Sequence, residues 1–190
     1  MPIFDHFSLL APFYDRAIKA AFPQKLISLL DLPTAGYVLD AGGGTGRIAQ
    51  FLKSNFESIV IADSSMEMLQ QAAQKNCCGL VCSNTESLPF PDGLFARILM
   101  VDALHHVTDH QKTIDELWRL LKPGGRLVIE EMDYNQPLVK LVALAEKIAL
   151  MRSHFLSPQA ITRLFPSDGV DIRIECSDRN AWIIVDKVNR

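Results

Sequence analysis

Cysteine is scarce and badly placed for cross-linking. Cys77, Cys78, Cys82 and Cys176 are the four in 190 residues, and they form neither a spaced disulfide framework nor the paired Cys-x-x-Cys spacing of a zinc site. Reduced thiols and no bound metal are the expectation. The chain also lacks an uncharged apolar run of the roughly 20 residues that a membrane-spanning helix needs, so no membrane insertion is expected. Positive charge is not concentrated anywhere: the formal net charge is −3, with no Lys/Arg cluster interleaved with aromatics. Nothing therefore attracts a phosphate backbone, and nucleic acid is excluded as a partner. The opening residues Met1-Pro2-Ile3-Phe4-Asp5-His6 have neither the basic flank nor the apolar core of a secretory signal, so a cytoplasmic location is expected. What remains is ordinary globular usage, 48% hydrophobic and 22% charged, in a length that suits one domain over 1–190 with a sizeable core.

Glycine is sparse overall but dense at one point. Val38-Leu39-Asp40-Ala41-Gly42-Gly43-Gly44-Thr45-Gly46-Arg47-Ile48-Ala49 reads as a buried strand entering a glycine turn that opens a helix. Tyr37-Val38-Leu39 are β-formers, whereas Ile48, Ala49, Phe51 and Leu52 recur at helical spacing. Glycine tolerates positive φ and lets a ligand press against the main-chain N–H groups, and a helix start after Thr45 offers unpaired donors. Gly44-x-Gly46-x-x-Ala49 fits a dinucleotide fingerprint, with Asp63 supplying the acidic residue about 20 positions on. Asp40 argues for a different ligand. A carboxylate at the strand end, aimed into the loop, repels a pyrophosphate and attracts the ammonium group of a cationic amino-acid ligand.

Strands and helices then alternate. Ser58 to Ala62 is a second strand, Ser64-x-x-Glu67 a capping box for a helix to about Lys75, and Gly79 to Cys82 a third strand. The prolines of Leu88 to Gly93 make a turn-rich link. Leu94 to Val101 supplies strand four. Thr108-x-x-Gln111 caps a helix carrying Ile114, Leu117, Trp118 and Leu121 on one stripe, which Lys122-Pro123-Gly124-Gly125 stops before strand five, Arg126 to Glu131. A helical segment over 136–166 follows. Leu138, Leu141, Val142, Ala145, Ile148 and Ala149 share one face to about Arg152, and a short helix runs from Ser157-Pro158 to Leu164. Two strands, about Asp171 to Cys176 and Ala181 to Val188, are joined too tightly to be anything but antiparallel.

The frame Asp40-x-Gly42-x-Gly44-x-Gly46 resembles the first motif of class I S-adenosylmethionine-dependent methyltransferases. Ser83-Asn84-Thr85-Glu86-Ser87-Leu88-Pro89-Phe90-Pro91-Asp92, Leu104-His105-His106-Val107 and Leu120-Leu121-Lys122-Pro123-Gly124-Gly125 look like the group that includes the ubiquinone/menaquinone-biosynthesis C-methyltransferases. The resemblance covers nearly the whole chain. It implies an α/β, doubly wound, Rossmann-like fold: a seven-stranded, mostly parallel sheet of order 3-2-1-4-5-7-6 with strand seven antiparallel and helices on both faces. It also implies S-adenosylmethionine as cofactor and S-adenosylhomocysteine as product. Asp40, Gly42, Gly43, Gly44 and Gly46 would then form the cofactor loop, and Asp63, with Ser64 beside it, would accept the ribose hydroxyls. Met68 and Leu88 would flank the adenine, with Asn84, Thr85 and Glu86 at its edge. Asp102 after strand four and Tyr14 from an N-terminal segment complete the set. Two positions depart from the family: Asn84 and Ala96 stand where Asp is usual, the first bearing on cofactor affinity and the second on stability.

The methyl acceptor is a small molecule whose attacking atom, carbon, oxygen or nitrogen, is not specified. Ligands of open α/β sheets bind beyond the carboxyl ends of the strands, so Asp102, His105, His106, Glu131, Asp133 and Tyr134 are the acceptor-side candidates. His105 and His106 are the catalytic candidates, His105 as a base that titrates near neutral pH and His106 for holding the loop by hydrogen bonds. Residues 1–30, with Phe4, Phe7, Phe13, Tyr14 and Phe22, are expected to form a helical cap over the cofactor, and His154-Phe155 the opposite wall. A nicotinamide-dependent oxidoreductase and a catalytically silent cofactor-binding module stay open as alternatives, as do monomer and homodimer.

Overall fold

Runs of Val, Ile and Leu that are apolar on both faces force strands into the middle of a sheet covered on both sides, and this chain has several of them. The computed structural model describes residues 23–32, 34–141 and 153–189, the side chains of Pro23 and Glu57 excepted. Its strands are β1 (Thr34–Ala41), β2 (Phe56–Asp63), β3 (Gly79–Cys82), β4 (Phe95–Val101), β5 (Leu121–Met132), β6 (Val170–Ser177) and β7 (Asn180–Lys187). They form one sheet of order β3-β2-β1-β4-β5-β7-β6. β1 lies parallel to both β2 and β4, with Leu39 opposite Val60 on one side and Ile98 on the other. β7 runs antiparallel to β5 and to β6. The order and direction are those expected.

Helices cover both faces. Leu39, Ile98, Met100, Leu127 and Ile129 pack under Ile114, Leu117 and Leu120 of one helix (His110–Leu120). Val38, Ile61, Leu99, Val128 and Trp182 on the other face pack against Leu26 and Leu29 of α1 (Pro23–Leu29), against α2 (Ala49–Leu52), and against Leu69 and Ala72 of α3 (Met66–Ala73). The helix over His110–Leu120 is α4, and α5 spans Pro158–Thr162. Each fully buried aliphatic side chain contributes about 1.5–3 kcal/mol of transfer free energy, so the two-sided core is what fixes β1 and β4 at the centre.

Several local expectations shift. The cap of α3 is Ser65, not Ser64: the Ser65 hydroxyl accepts from Met68 N at 3.2 Å, because Asp63 Oδ1 already holds Ser65 N at 2.8 Å. Likewise Asp109, not Thr108, caps α4 by accepting from Lys112 N at 3.0 Å. The glycine turn continues to Ile48, and α2 has only four residues. Lys122 to Gly125 form an irregular bulge within β5. Leu121 stays opposite Phe95, and the register slips before Arg126 pairs with Arg97. In the helical turn at 137–141, Leu138 and Leu141 are 48% and 61% exposed and Val139 is buried, reversing the expected face. Val142, Ala145, Ile148 and Ala149, like Tyr14 and residues 1–22 of the expected cap, lie outside the described residues.

Ala96 is buried, and a Cβ at Gly36 would stand 3.4 Å from its own Cβ. A carboxylate there would be forced into an apolar joint, so this departure from the family bears on packing and stability.

Candidate active site

Strand order reverses on either side of β1, since the chain leaves it toward β2 on one side and reaches β4 on the other. The crevice beyond the carboxyl ends of β1 and β4 is therefore open to a ligand. It holds a cleft of about 1030 Å³, its open mouth included.

Asp40 forms the floor. It is the seventh residue of β1, 1% exposed, and its Oδ2 is buried with no hydrogen-bond partner among the described residues. Burial pushes its pKa from 3.8 to about 7, Arg47 pulls it down, and Asp63 pushes it up. Gly43 lies directly over that carboxylate: a Cβ on Gly43 would stand 2.6 Å from Asp40 Cγ and 2.7 Å from Oδ2. Only a residue without a side chain leaves the carboxylate reachable from the cleft.

The turn commits much of its own hydrogen-bonding capacity internally. Gly42 N donates to Ala62 O at 2.7 Å, Gly44 N to Asp63 Oδ2 at 2.9 Å, and Gly46 N to Gly43 O at 2.9 Å. The expected row of ligand-facing amides is to that extent taken up by the protein, and the turn acts as a shaped cradle. Gly46 does not line the cleft. Its φ is +72° and a Cβ would meet Ile61 Cδ1 at 2.8 Å, so it packs the turn on β2.

Asp63, at the end of β2, lines the cleft together with Ser64, Ser65 and the buried Met68. Its two oxygens accept backbone N–H groups on either side, one from Gly44 and one from Ser65. This fixes the plane of the carboxylate. Asn84, Thr85 and Glu86 follow β3 on the same wall. Glu86 Oε1 accepts from Thr108 N at 3.0 Å and so ties this wall to the segment after β4. Leu88 is displaced from its expected place: it is buried in the core with Phe95 and Ile114 and does not line the cleft. The link 88–93 turns it inward, where Leu88 N donates to Glu116 Oε1 at 2.7 Å.

Beyond β4, Asp102 sits at φ +50° and accepts from Arg47 Nη2 at 2.9 Å. Burial raises its pKa, with Glu131 adding to the rise and Arg47 opposing it. Arg47 itself is buried and lines the cleft. Its only mark in the sequence is that of a cation placed directly after the last glycine, too slight a signal to single it out.

The two histidines divide differently from expectation. In the 3₁₀ turn Leu104–His106 the two imidazoles lie against each other, ring centroids 3.9 Å apart and tilted by 49°. His106 lines the cleft, and its Nδ1 stands 3.3 Å from Ser153 Oγ. Burial, then His105, lowers its pKa to about 3. His105 does not line the cleft but a small cavity behind His106, with His110, Glu131 and His154. Its Nδ1 is 2.6 Å from Glu131 Oε2, and Glu131 Oε1 accepts from Leu104 N at 2.7 Å and His105 N at 3.3 Å. An ionised carboxylate only accepts, so the proton between them sits on Nδ1. Phe155 stacks on the His105 ring at 4.3 Å, and Tyr134 on Phe155 at 6.1 Å. Glu131, Asp133, Tyr134, His154 and Phe155 are thus absent from the cleft lining. Among the described residues, no group of three or more His, Cys, Asp or Glu is placed to hold a metal ion, and no helix is long and apolar enough to cross a membrane.

Comparison with known proteins agrees with this geometry. The ubiquinone/menaquinone biosynthesis C-methyltransferase UbiE of Pectobacterium carotovorum is 35% identical over 113 aligned positions, covering 54% of this chain and 44% of that one. The UbiE of Escherichia coli O1:K1 / APEC is 35% identical over 118, covering 57% and 46%. The matched region thus spans less than half the length of these curated relatives. Among solved structures, a chain from the complex of the Haloferax volcanii Trm112 methyltransferase activator with a methyltransferase superposes with a TM-score of 0.82 at 18% identity, covering 98% of this chain and 100% of that one. A SAM-dependent methyltransferase from Thermotoga maritima gives 0.77 at 23%, covering 95% and 98%. Geranyl diphosphate C-methyltransferase from Streptomyces coelicolor A3(2), solved with Mg²⁺, geranyl diphosphate and S-adenosyl-L-homocysteine, gives 0.75 at 17%, covering 99% and 86%. These likenesses show the fold. The model of the methyltransferase domain family matches residues 39–129, the stretch from the floor of the cleft to the centre of β5, so family model, curated relatives and solved neighbours all liken this chain to methyltransferases.

Proposed function

We propose that this chain transfers a methyl group from S-adenosylmethionine to a small-molecule acceptor, as a single domain. The observation that carries the reading is Asp40: a buried carboxylate at the cleft, one oxygen unpaired among the described residues, with a side-chain-free Gly43 against it. Such a group is costly unless a cation meets it. The rest of the cleft fits the same ligand. Asp63 presents an oriented carboxylate to adjacent hydroxyls, Met68 a polarisable apolar surface, and Asn84 and Thr85 neutral hydrogen-bonding edges. A cytoplasmic setting belongs to the same reading.

When bound, the cofactor supplies a methyl group already made electrophilic by the sulfonium charge, so the protein's work is alignment and exclusion of water. Asp40 and Asp63 hold the two ends of the donor against a rigid sheet. His106, after β4, lines the part of the same cleft left for the acceptor in this reading. His106 is uncharged across the physiological range, since its proton affinity is held far below the usual histidine value. Its role in this reading is to hold the acceptor by a hydrogen bond instead of storing a proton. His105 and Glu131 act through it by fixing the turn that presents it. The names of the curated relatives favour a carbon nucleophile.

The test is a screen of candidate acceptors with methyl-labelled S-adenosylmethionine, following label into a non-protein product and release of S-adenosylhomocysteine. Label transfer to at least one acceptor is expected. Binding of the cofactor with no transfer to any carbon, oxygen or nitrogen acceptor class would favour a silent binding module. With an acceptor in hand, His106→Ala should lower kcat about 10- to 100-fold and leave the affinity for S-adenosylhomocysteine within about twofold.

A further inference from the structure

Among the described residues the cleft is lined by four acidic side chains, Asp40, Asp63, Glu86 and Asp102, and by one permanently cationic side chain, Arg47. That imbalance suits a sulfonium and an ammonium but repels the carboxylate carried by the same amino-acid group. The loop amides that would ordinarily receive an anion are in part committed inside the protein, those of Gly42, Gly44 and Gly46 each donating to a protein oxygen. Arg47 is not so committed. Its Nη2 donates to Asp102, while Nε and Nη1 make no hydrogen bond to a described residue. The guanidinium is nevertheless buried, held between the glycine turn and the start of the segment after β4, close enough to Asp40 to lower that carboxylate's pKa.

We infer that Arg47 receives the carboxylate of the cofactor's amino-acid end, with Asp40 taking the ammonium beside it and Asp102 acting as a positioning residue that orients the guanidinium. The inference rests on the cofactor reading above. Asp102 occupies the left-handed region at φ +50°, a conformation that costs a non-glycine residue and that here brings its carboxylate to Arg47. The planar fork of Arg suits a carboxylate in a way the point charge of Lys does not, and Arg at this place leaves a second edge of the fork for the ligand. The zwitterionic end of the donor is thereby read by a matched pair of opposite charges on one turn.

The test compares three ligands by titration calorimetry: S-adenosylhomocysteine, its decarboxylated analogue that keeps the amine, and 5′-methylthioadenosine, which lacks both charges. The wild-type chain should bind S-adenosylhomocysteine at least tenfold more tightly than the decarboxylated analogue. Arg47→Met should erase that difference and leave 5′-methylthioadenosine within about twofold, with Arg47→Lys restoring part of it. Asp102→Asn should give a smaller loss with the same ligand pattern. An equal loss for all three ligands in Arg47→Met, with Arg47→Lys folded and no better, would mean the side chain merely supports the turn and would overturn the assignment. Failure of the wild-type chain to bind any of the three overturns the cofactor reading itself, a different outcome.

Discussion

Asp40→Asn is expected to make the protein more stable and the cofactor bind worse. Burial raises the Asp40 pKa from 3.8 to about 7. Between those values the folded chain holds a proton that the unfolded chain has released. Stability therefore falls as pH rises from about 4 to about 7, by about 1.4 kcal/mol for each pH unit crossed, or about 4 kcal/mol in all. The Asn variant removes the titration but leaves a buried amide imperfectly paired, so a net gain on the order of 2 kcal/mol is expected at pH 8, vanishing by pH 4. Chemical denaturation at the two pH values reads both. Affinity for S-adenosylhomocysteine should move the other way, falling about 10- to 100-fold on loss of a charge-assisted contact worth about 1.5–3 kcal/mol. In the wild-type chain that affinity should rise with pH, up to tenfold for each pH unit below about pH 7, and level off above it, because the ammonium prefers the ionised carboxylate. A variant both less stable and weaker in binding would place Asp40 among ordinary structural residues.

Glu131→Leu is the second large effect. The carboxylate accepts from Leu104 N, His105 N and His105 Nδ1, and the side chains of His105 and Glu131 are only 4% and 5% exposed. A leucine leaves three donors unpaired where water does not reach, a loss of about 3–5 kcal/mol in unfolding free energy, read by chemical denaturation. Glu131→Gln keeps one carbonyl acceptor and should lose less. The Leu104–His106 turn would loosen, so any turnover that survives in Glu131→Gln should show a lower kcat with cofactor affinity little changed. Loss of cofactor affinity ahead of kcat would mean the turn serves the donor side of the cleft.

The parts that were legible in the sequence are those set by pattern and by backbone chemistry. β3 at Gly79–Cys82 and the antiparallel pair β6 and β7 fell where apolar runs and short links required. So did the glycine turn with Asp40 beneath it. Caps were misplaced by one residue where two adjacent candidates, Ser64 and Ser65 or Thr108 and Asp109, both suit the position. Neighbouring hydrogen bonds decide between them: Asp63 takes Ser65 N, and Glu86 takes Thr108 N. Which of the two adjacent histidines lines the cleft is not legible in the sequence, because so short an element has no phase; His106 lines it and His105 the cavity behind. Leu88 and Gly46 look like ligand contacts by spacing, yet each is claimed by packing, the one beside Phe95, the other against Ile61. Arg47 is not singled out by the sequence because its partner, Asp102, is distant in sequence and adjacent in space.

The buried carboxylate under the glycine turn is proposed to bind a sulfonium amino acid linked to adenosine, and everything else assigned to the cleft depends on that. Titration of the full chain with S-adenosylmethionine, S-adenosylhomocysteine and NADH at pH 8 tests it most directly. Binding of the first two with one site per chain, none of NADH, and marked weakening of both on Asp40→Asn is the expected result. Binding of NADH alone, or binding of the first two that is indifferent to Asp40→Asn, would contradict it.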